Sequence, residues 1–335
     1  MKRVNNTNVF VVATVLLIMI AVVGLMFSSE KKENATAKIG EGVAVQEIYN
    51  VLFLGKDTVS GLCDVMILAS VNTGNGEISI MQIPRDTYFS YGNGNHNRIN
   101  GAPHVLGVEP FSRELGNALG INIDLFLSLN TQTLAQLIDL MGGVDIDIPM
   151  DMDYDDPDQD LFIHLKKGRA TLNGTSSLGF LRYRSGYVTG DLGRLDAQKL
   201  FLNAFINRLG EIKNPVTLYS ITDLICSRSE SNLKRQDLLA IGLKLSKVKS
   251  VSVIYCTAPG EAIQSEASGA WYYILSRPSM TELLGLRFGA KEKDFDVSNK
   301  FVDKRVKSFY DIYENRCAYR IYSASEIDNN QVNIN

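Results

Sequence analysis

Three short runs, NVLFLG (50–55), VMILAS (65–70) and ISIMQI (78–83), are apolar at nearly every position and are bounded by turn residues. A strand with one wet face alternates apolar and polar side chains, so strands written like these must be covered on both faces. NTGNG (72–76) joins the second and third as a hairpin-type turn. Helices to do the covering follow. Glu109-Pro110 puts proline in a first helical turn, Phe111, Leu115 and Ala118 share one face, and Gly120 ends the segment. LFLSLN (125–130) reads as a strand. Leu134, Leu137, Ile138 and Met141 then recur at helical spacing, Gly142-Gly143 cap the helix, and VDIDI (144–148) returns as a strand. This strand–helix–strand unit beside an antiparallel hairpin predicts the α/β class: an α/β/α sandwich with a central mixed β-sheet. Ala197, Leu200, Phe201, Ala204 and Phe205 mark another amphipathic helix, VSVIYC (251–256) a further strand, and Leu283 to Phe288 the end of a short helix.

Residues 9–27, VFVVATVLLIMIAVVGLMF, are uncharged and almost wholly apolar, the length that crosses a hydrocarbon core as one helix. Lys2 and Arg3 precede the run, while Glu30, Lys31, Lys32 and Glu33 cancel behind it, which favours a cytoplasmic N-terminus. The run exceeds a cleavable signal's apolar region, and no A-x-A-like site follows it. The expected layout is a short cytoplasmic segment (1–8), a transmembrane signal-anchor (9–27), an extracytoplasmic linker (28–46), a main folded domain (47–290) and a polar, weakly patterned C-terminal tail (291–335).

The whole chain of 335 residues carries a formal charge of −3. It lacks the basic footprint of a nucleic-acid binder, so an arginine cluster here must act as a local anion site. Four cysteines (Cys63, Cys226, Cys256, Cys317) without a C-x-x-C pair make no disulfide framework, though one bridge is open to them. His96, His104 and His164 show no metal-ligand spacing, and no G-x-S-x-G motif is present.

Arginines gather at element ends. IPRD delivers Arg85 and Asp86 to the edge of the sheet, where open α/β sheets bind ligands. LRYR carries Arg182 and Arg184 two apart, pointing the same way if extended. Arg194 follows a Gly-Asp-x-Gly turn at a helix start, with Asp191 and Gln198 spaced onto the same face. Permanently charged guanidinium forks around a helix N-terminus suit a phosphate or pyrophosphate. Asp57 and Asp64 flank the first strand turn, where they either shape the turn or hold Mg²⁺. The acidic run DMDYDDPDQD (151–160) is no EF-hand, because its sixth position is Asp156 and its twelfth Phe162. It reads as a solvated loop before the strand FIHL.

Taken in order, GKD, CDVM, IPRDT, RING, LMGGVDIDIP, MDYDDPDQD, LKKG…LNG, LRYR, GDLGR and AQ resemble the LytR-CpsA-Psr family of cell-wall ligases over roughly residues 50–210. The resemblance implies an extracytoplasmic phosphotransferase. Such an enzyme moves a teichoic acid, capsule or other glycopolymer from a polyprenyl-pyrophosphate carrier to a muramic acid hydroxyl of peptidoglycan, releasing polyprenyl phosphate. It also implies that Arg85, Arg182, Arg184 and Arg194 hold the pyrophosphate, with Gln198 and Asn100, which match motif positions, in the same pyrophosphate-binding set. Asp57 and Asp64 would be the Mg²⁺-linked aspartates, and Asp86 or Asp191 would take the acceptor proton. The chain departs from the family at Leu62, where an arginine is usual, and at Ala102-Pro103, where Ala-Tyr is common. Two other readings share the site: a pyrophosphatase acting on the lipid-linked glycan, and a binding protein without turnover.

Overall fold

The computed structural model describes residues 47–58, 60–92, 98–157, 161–233, 241, 244–245, 248, 251–290, 295–296 and 299–329. The expected transmembrane run lies outside them, and among the described residues no helix is long and apolar enough to cross a membrane.

The chain begins with β1 (Ile48–Lys56), β2 (Cys63–Asn72) and β3 (Glu77–Gln82), followed by α1 (Ala102–Leu106), α2 (Val108–Leu119), β4 (Leu125–Asn130) and α3 (Thr131–Leu140). Next come β5 (Val144–Ile148), β6 (Met152–Asp156), β7 (Leu161–Leu165), β8 (Gly168–Leu172), α4 (Gly174–Arg182), α5 (Asp191–Glu211) and α6 (Pro215–Arg228). The remaining elements are β9 (Glu230–Ser231), β10 (Ser252–Thr257), β11 (Gly260–Gln264), β12 (Trp271–Leu275), α7 (Arg277–Arg287), α8 (Lys307–Glu314), β13 (Ile321–Ser323) and α9 (Ala324–Asp328).

Seven strands form the central sheet in the order β13-β10-β3-β2-β1-β4-β9. β1–β2 and β2–β3 are antiparallel, β1–β4 and β3–β10 parallel, so the sheet is mixed as the sequence predicts. Period-2 alternation sends Val51, Ala69, Val71, Ile78 and Ile80 into one core and Leu52, Leu54, Leu68 and Met81 into the other. The first core is closed by α3, α4 and α5, the second by α2, α7 and α8. Each fully buried aliphatic side chain contributes about 1.5–3 kcal/mol, so two covered faces explain why these strands carry few polar positions.

Four expectations need correction. VDIDI does not rejoin the sheet: β5 pairs antiparallel with β8 in a separate ribbon. Its Val144, Ile146 and Ile148 are buried while Asp145 and Asp147 are exposed, the pattern of a one-faced strand. Gly143 turns the chain into that ribbon at φ 89°, where a Cβ would lie 2.8 Å from Thr171 Cγ2 and 3.0 Å from the Leu172 oxygen. The acidic run is not a loop throughout, because Met152–Asp156 pairs with Leu161–Leu165 as a hairpin. Nor is LRYR extended as a unit: Arg182 closes α4, and only from Tyr183 does the backbone become extended. Lastly, residues 299–329 are no loose tail. They bury Phe301, Phe309, Tyr313, Tyr322 and Ile327, and β13 pairs with β10 at the edge of the central sheet.

Candidate functional site

β2 starts and β3 ends at the same edge of the sheet. Their register pairs Ile67 with Gln82, so three further residues on each strand bring Asp64 opposite Arg85. The side chains meet there, Arg85 Nη1 donating to Asp64 Oδ1 at 2.6 Å. The turn behind Arg85 is fixed by the Thr87 amide and hydroxyl, which both donate to the Pro84 carbonyl. The Asn100 amide donates to the Arg85 carbonyl at 3.2 Å, which places that residue against the turn's backbone.

α5 brings the second half. Gly190 lies at φ 58°, and Asp191 and Arg194 occupy the first helical turn. Gly193 admits the preceding loop, since a Cβ there would lie 2.6 Å from Tyr187 Cβ. Asp191 suits the positive end of the helix dipole and Arg194 opposes it, so a cation at this turn calls for an anion. Asp191 Oδ1 lies 3.0 Å from Arg194 Nη2 and 3.8 Å from Arg85 Nη2. Asp86 approaches Arg85 Nε at 3.8 Å and Arg98 Nη1 at 3.4 Å.

The site is short of partners. Ten buried side-chain polar atoms among the described residues make no hydrogen bond, and five of them cluster here: Gln82 Oε1, Arg85 Nε, Tyr187 Oη, Asp191 Oδ1 and Arg194 Nε. Buried polar groups are normally satisfied, so the donors among these, Arg85 Nε, Arg194 Nε and the Tyr187 hydroxyl, fit an anionic ligand that accepts from them, whereas the acceptors Gln82 Oε1 and Asp191 Oδ1 call for a donor, and Asp191 Oδ1 already faces Arg194 Nη2 at 3.0 Å. Charge agrees. Burial lowers the pKa of Arg194, and the like charges of Arg85 and Arg184 lower it further against Asp191 and Asp64. For Arg85, burial also acts downward, but the Asp64 hydrogen bond and the charges of Asp191, Asp64 and Asp86 outweigh it and the pKa rises.

Of the residues expected from sequence, Arg85, Asp86, Asp64, Asp191 and Arg194 form this cluster directly. Gln198 joins through Gln82 and the Leu181 carbonyl. Arg184 is exposed and reaches Arg194 through its charge, while Arg182 sits at the end of α4 next to Leu181. Asp57 stands at the end of β1 and accepts the Ser60 amide and hydroxyl on Oδ1, the turn-forming role open to it. Gln82, Arg98 and Tyr187 were missed. Only a polar residue inside an apolar run hinted at Gln82.

Among the described residues no three His, Cys, Asp or Glu side chains are grouped to hold a metal. Two carboxylates at one hairpin end still fit Mg²⁺, which typically takes one or two carboxylates and completes its shell with water and substrate phosphate. Another face of α5 borders a groove of about 600 Å³ that includes Asn203, Asn207, Asp147 and Asp328. Its buried Asn203 is satisfied by Tyr255 and Asp328, so it lacks the deficit that marks the arginine site.

The LytR_cpsA_psr family matches residues 22–286. The polyisoprenyl-teichoic acid–peptidoglycan teichoic acid transferase TagV of Bacillus subtilis (strain 168) is 27% identical over 248 residues, 71% of this chain. The chain spans 63% of that relative's length. TagU of Oceanobacillus iheyensis, with the same transferase description, is 25% identical over 74% of this chain and 78% of its own. Among solved structures, TagT bound to LIIa-WTA superposes with a TM-score of 0.57 at 21% identity, covering 77% of this chain and 96% of that one, and shares the fold. The chain belongs to the LytR-CpsA-Psr family.

Proposed function

We propose that the protein is a transferase that moves a glycopolymer, with its linking phosphate, from a polyprenyl-pyrophosphate carrier to peptidoglycan. The observation that carries the reading is the under-partnered Arg85–Asp64–Asp191–Arg194 cluster at a sheet edge and a helix N-terminus. The relatives' descriptions as teichoic acid transferases support a teichoic acid as the polymer. Capsular polymers remain the alternative cargo.

Phosphoryl transfer asks mainly for positioning and for neutralisation of charge on the departing group. Arg85 and Arg194, with Arg182 and Arg184 at the rim, would hold the pyrophosphate. An acceptor hydroxyl of muramic acid forms the new P–O bond to the phosphorus nearer the glycan, the bridging P–O bond breaks, and polyprenyl phosphate leaves. Asp86 or Asp191 takes the hydroxyl proton. Asp57 and Asp64 would hold Mg²⁺, which when bound supplies charge neutralisation at the phosphoryl oxygens. Residues 9–27 would anchor the chain in the cell membrane with the catalytic domain outside.

The test supplies the full chain with a polyprenyl-pyrophosphate disaccharide, a soluble peptidoglycan oligomer and Mg²⁺, and identifies products by mass spectrometry. A phosphodiester-linked conjugate that disappears with EDTA and in Arg85→Ala is the expected result. Free glycan phosphate without conjugate would replace the transferase with a pyrophosphatase. Intact bound lipid would point to a binding protein, with the uncharged, exposed Leu62 as the first residue to replace by arginine.

A further inference from the structure

Gln82, the last residue of β3, donates from Nε2 to Gln198 Oε1 at 3.4 Å, and Gln198 donates from its own Nε2 to the Leu181 carbonyl at 3.3 Å. A backbone carbonyl can only accept, so it dictates both amides: Gln198 presents nitrogen to Leu181 and oxygen to Gln82. Gln82 and Gln198 are both buried. Every member of this chain of bonds lies close to an arginine. Gln82 precedes Arg85 by three residues, Gln198 follows Arg194 by about one helical turn, and Leu181 adjoins Arg182.

A parallel tie runs beside it. Lys199, next to Gln198 on α5, donates to Thr257 Oγ1 at 2.8 Å, and Thr257 is the register partner of Gln82 across β10 and β3. Consecutive residues of α5 thus reach the ends of two adjacent strands. The lysine fastens the helix to the sheet. The amide pair connects the β3 end, α5 and the end of α4, the three segments that carry the arginines, beside the Arg85–Asp191 ion pair that also joins the β3 end to α5.

We propose that Gln82 and Gln198 form a positioning relay that sets the spacing of Arg85, Arg194 and Arg182 for a ligand with two linked phosphates. The inference rests on the anion-site reading above. Gln82 is the positioning residue: it acts through Gln198, itself in the pyrophosphate-binding set, and through the arginines, and does not have to touch the ligand. Spacing among the three cations matters most to a group that spans them, so a pyrophosphate should depend on the relay more than a monophosphate does.

The test compares geranylgeranyl pyrophosphate with geranylgeranyl monophosphate on the full chain, by equilibrium binding, in wild type, Gln82→Met, Gln198→Met and the double variant. Gln82→Met is expected to weaken the pyrophosphate by about fivefold to tenfold, one net hydrogen bond's worth, and the monophosphate by less than about twofold. Its thermal midpoint should stay within about 2 °C of wild type, and the double variant should bind like either single one, because the two act as one unit. Pyrophosphate binding unchanged in Gln82→Met, equal losses for both lipids, or losses that add would overturn the relay. A wild-type chain that holds neither lipid would overturn the anion-site reading and the relay with it. Should Gln82→Met not fold, Gln82→Leu replaces it, since an uncharged apolar side chain cannot donate to Gln198 Oε1, adds no charge beside the anion site and should show the same selective loss.

Discussion

Two cations on one helix, five residues apart, are both almost fully enclosed: Arg194 is 3% exposed and Lys199 1%. Lys199 has a matched set of partners, with Asp196 Oδ1 at 2.7 Å, Thr257 Oγ1 at 2.8 Å and the Tyr322 ring at 5.8 Å. Arg194 has one carboxylate, an unpartnered Nε, and two further arginines adding positive charge. Burial is the same and satisfaction is not. A buried charge whose partners all come from the fold serves the fold, whereas one left short of partners is poised for something that arrives from outside.

The contrast can be broken at several strengths. Lys199→Met should cost about 3–5 kcal/mol in chemical denaturation, because it strands the Asp196 carboxylate in a buried pair. A loss under about 1 kcal/mol would place Lys199 with the surface ion pairs and erase the comparison. Arg85→Ala should lower transfer by about 100- to 1000-fold, the usual cost of one charge-stabilising donor, with little change in unfolding. Thr257→Val should cost about 1.5–3 kcal/mol, one hydrogen bond to the buried ammonium.

A further effect appears only in alkali. Burial pushes the Cys63 thiol up to about 12 from 9.0, against the opposing charge of Lys56. The unfolded thiol therefore releases its proton first, and stability that is complete below pH 9 is lost between pH 9 and about 12. Cys63→Ala should flatten the pH dependence of the unfolding midpoint over that range.

The sheet was legible because double-sided burial leaves a local trace. β1 to β4 and the helix ending at Gly120, which is left-handed at φ 68°, fall where apolar runs and punctuation put them. β5 was misassigned because a strand–helix–strand spacing does not say which sheet the last strand joins, although Asp145 and Asp147 alternating with apolar residues carried the information. The segment at 299–329 looked polar because its buried residues are scattered, and β13 contributes only three residues, too few for a period. The arginines and aspartates of the site were found by motif. Gln82, Tyr187 and the Lys199–Asp196–Thr257 set were not, since their roles depend on partners from other elements that no local pattern records.

The most direct measurement of the central claim pairs Arg194→Met with wild type and follows thermal unfolding with and without geranylgeranyl pyrophosphate. An arginine kept for a ligand should cost the empty protein no more than about 1 kcal/mol when replaced, because Asp191 keeps Arg85 nearby. The ligand-induced rise in midpoint seen in wild type should then be lost. If Arg194→Met instead loses the several kcal/mol expected of Lys199→Met while the ligand still raises its midpoint, Arg194 belongs to the fold and the account of the site is wrong.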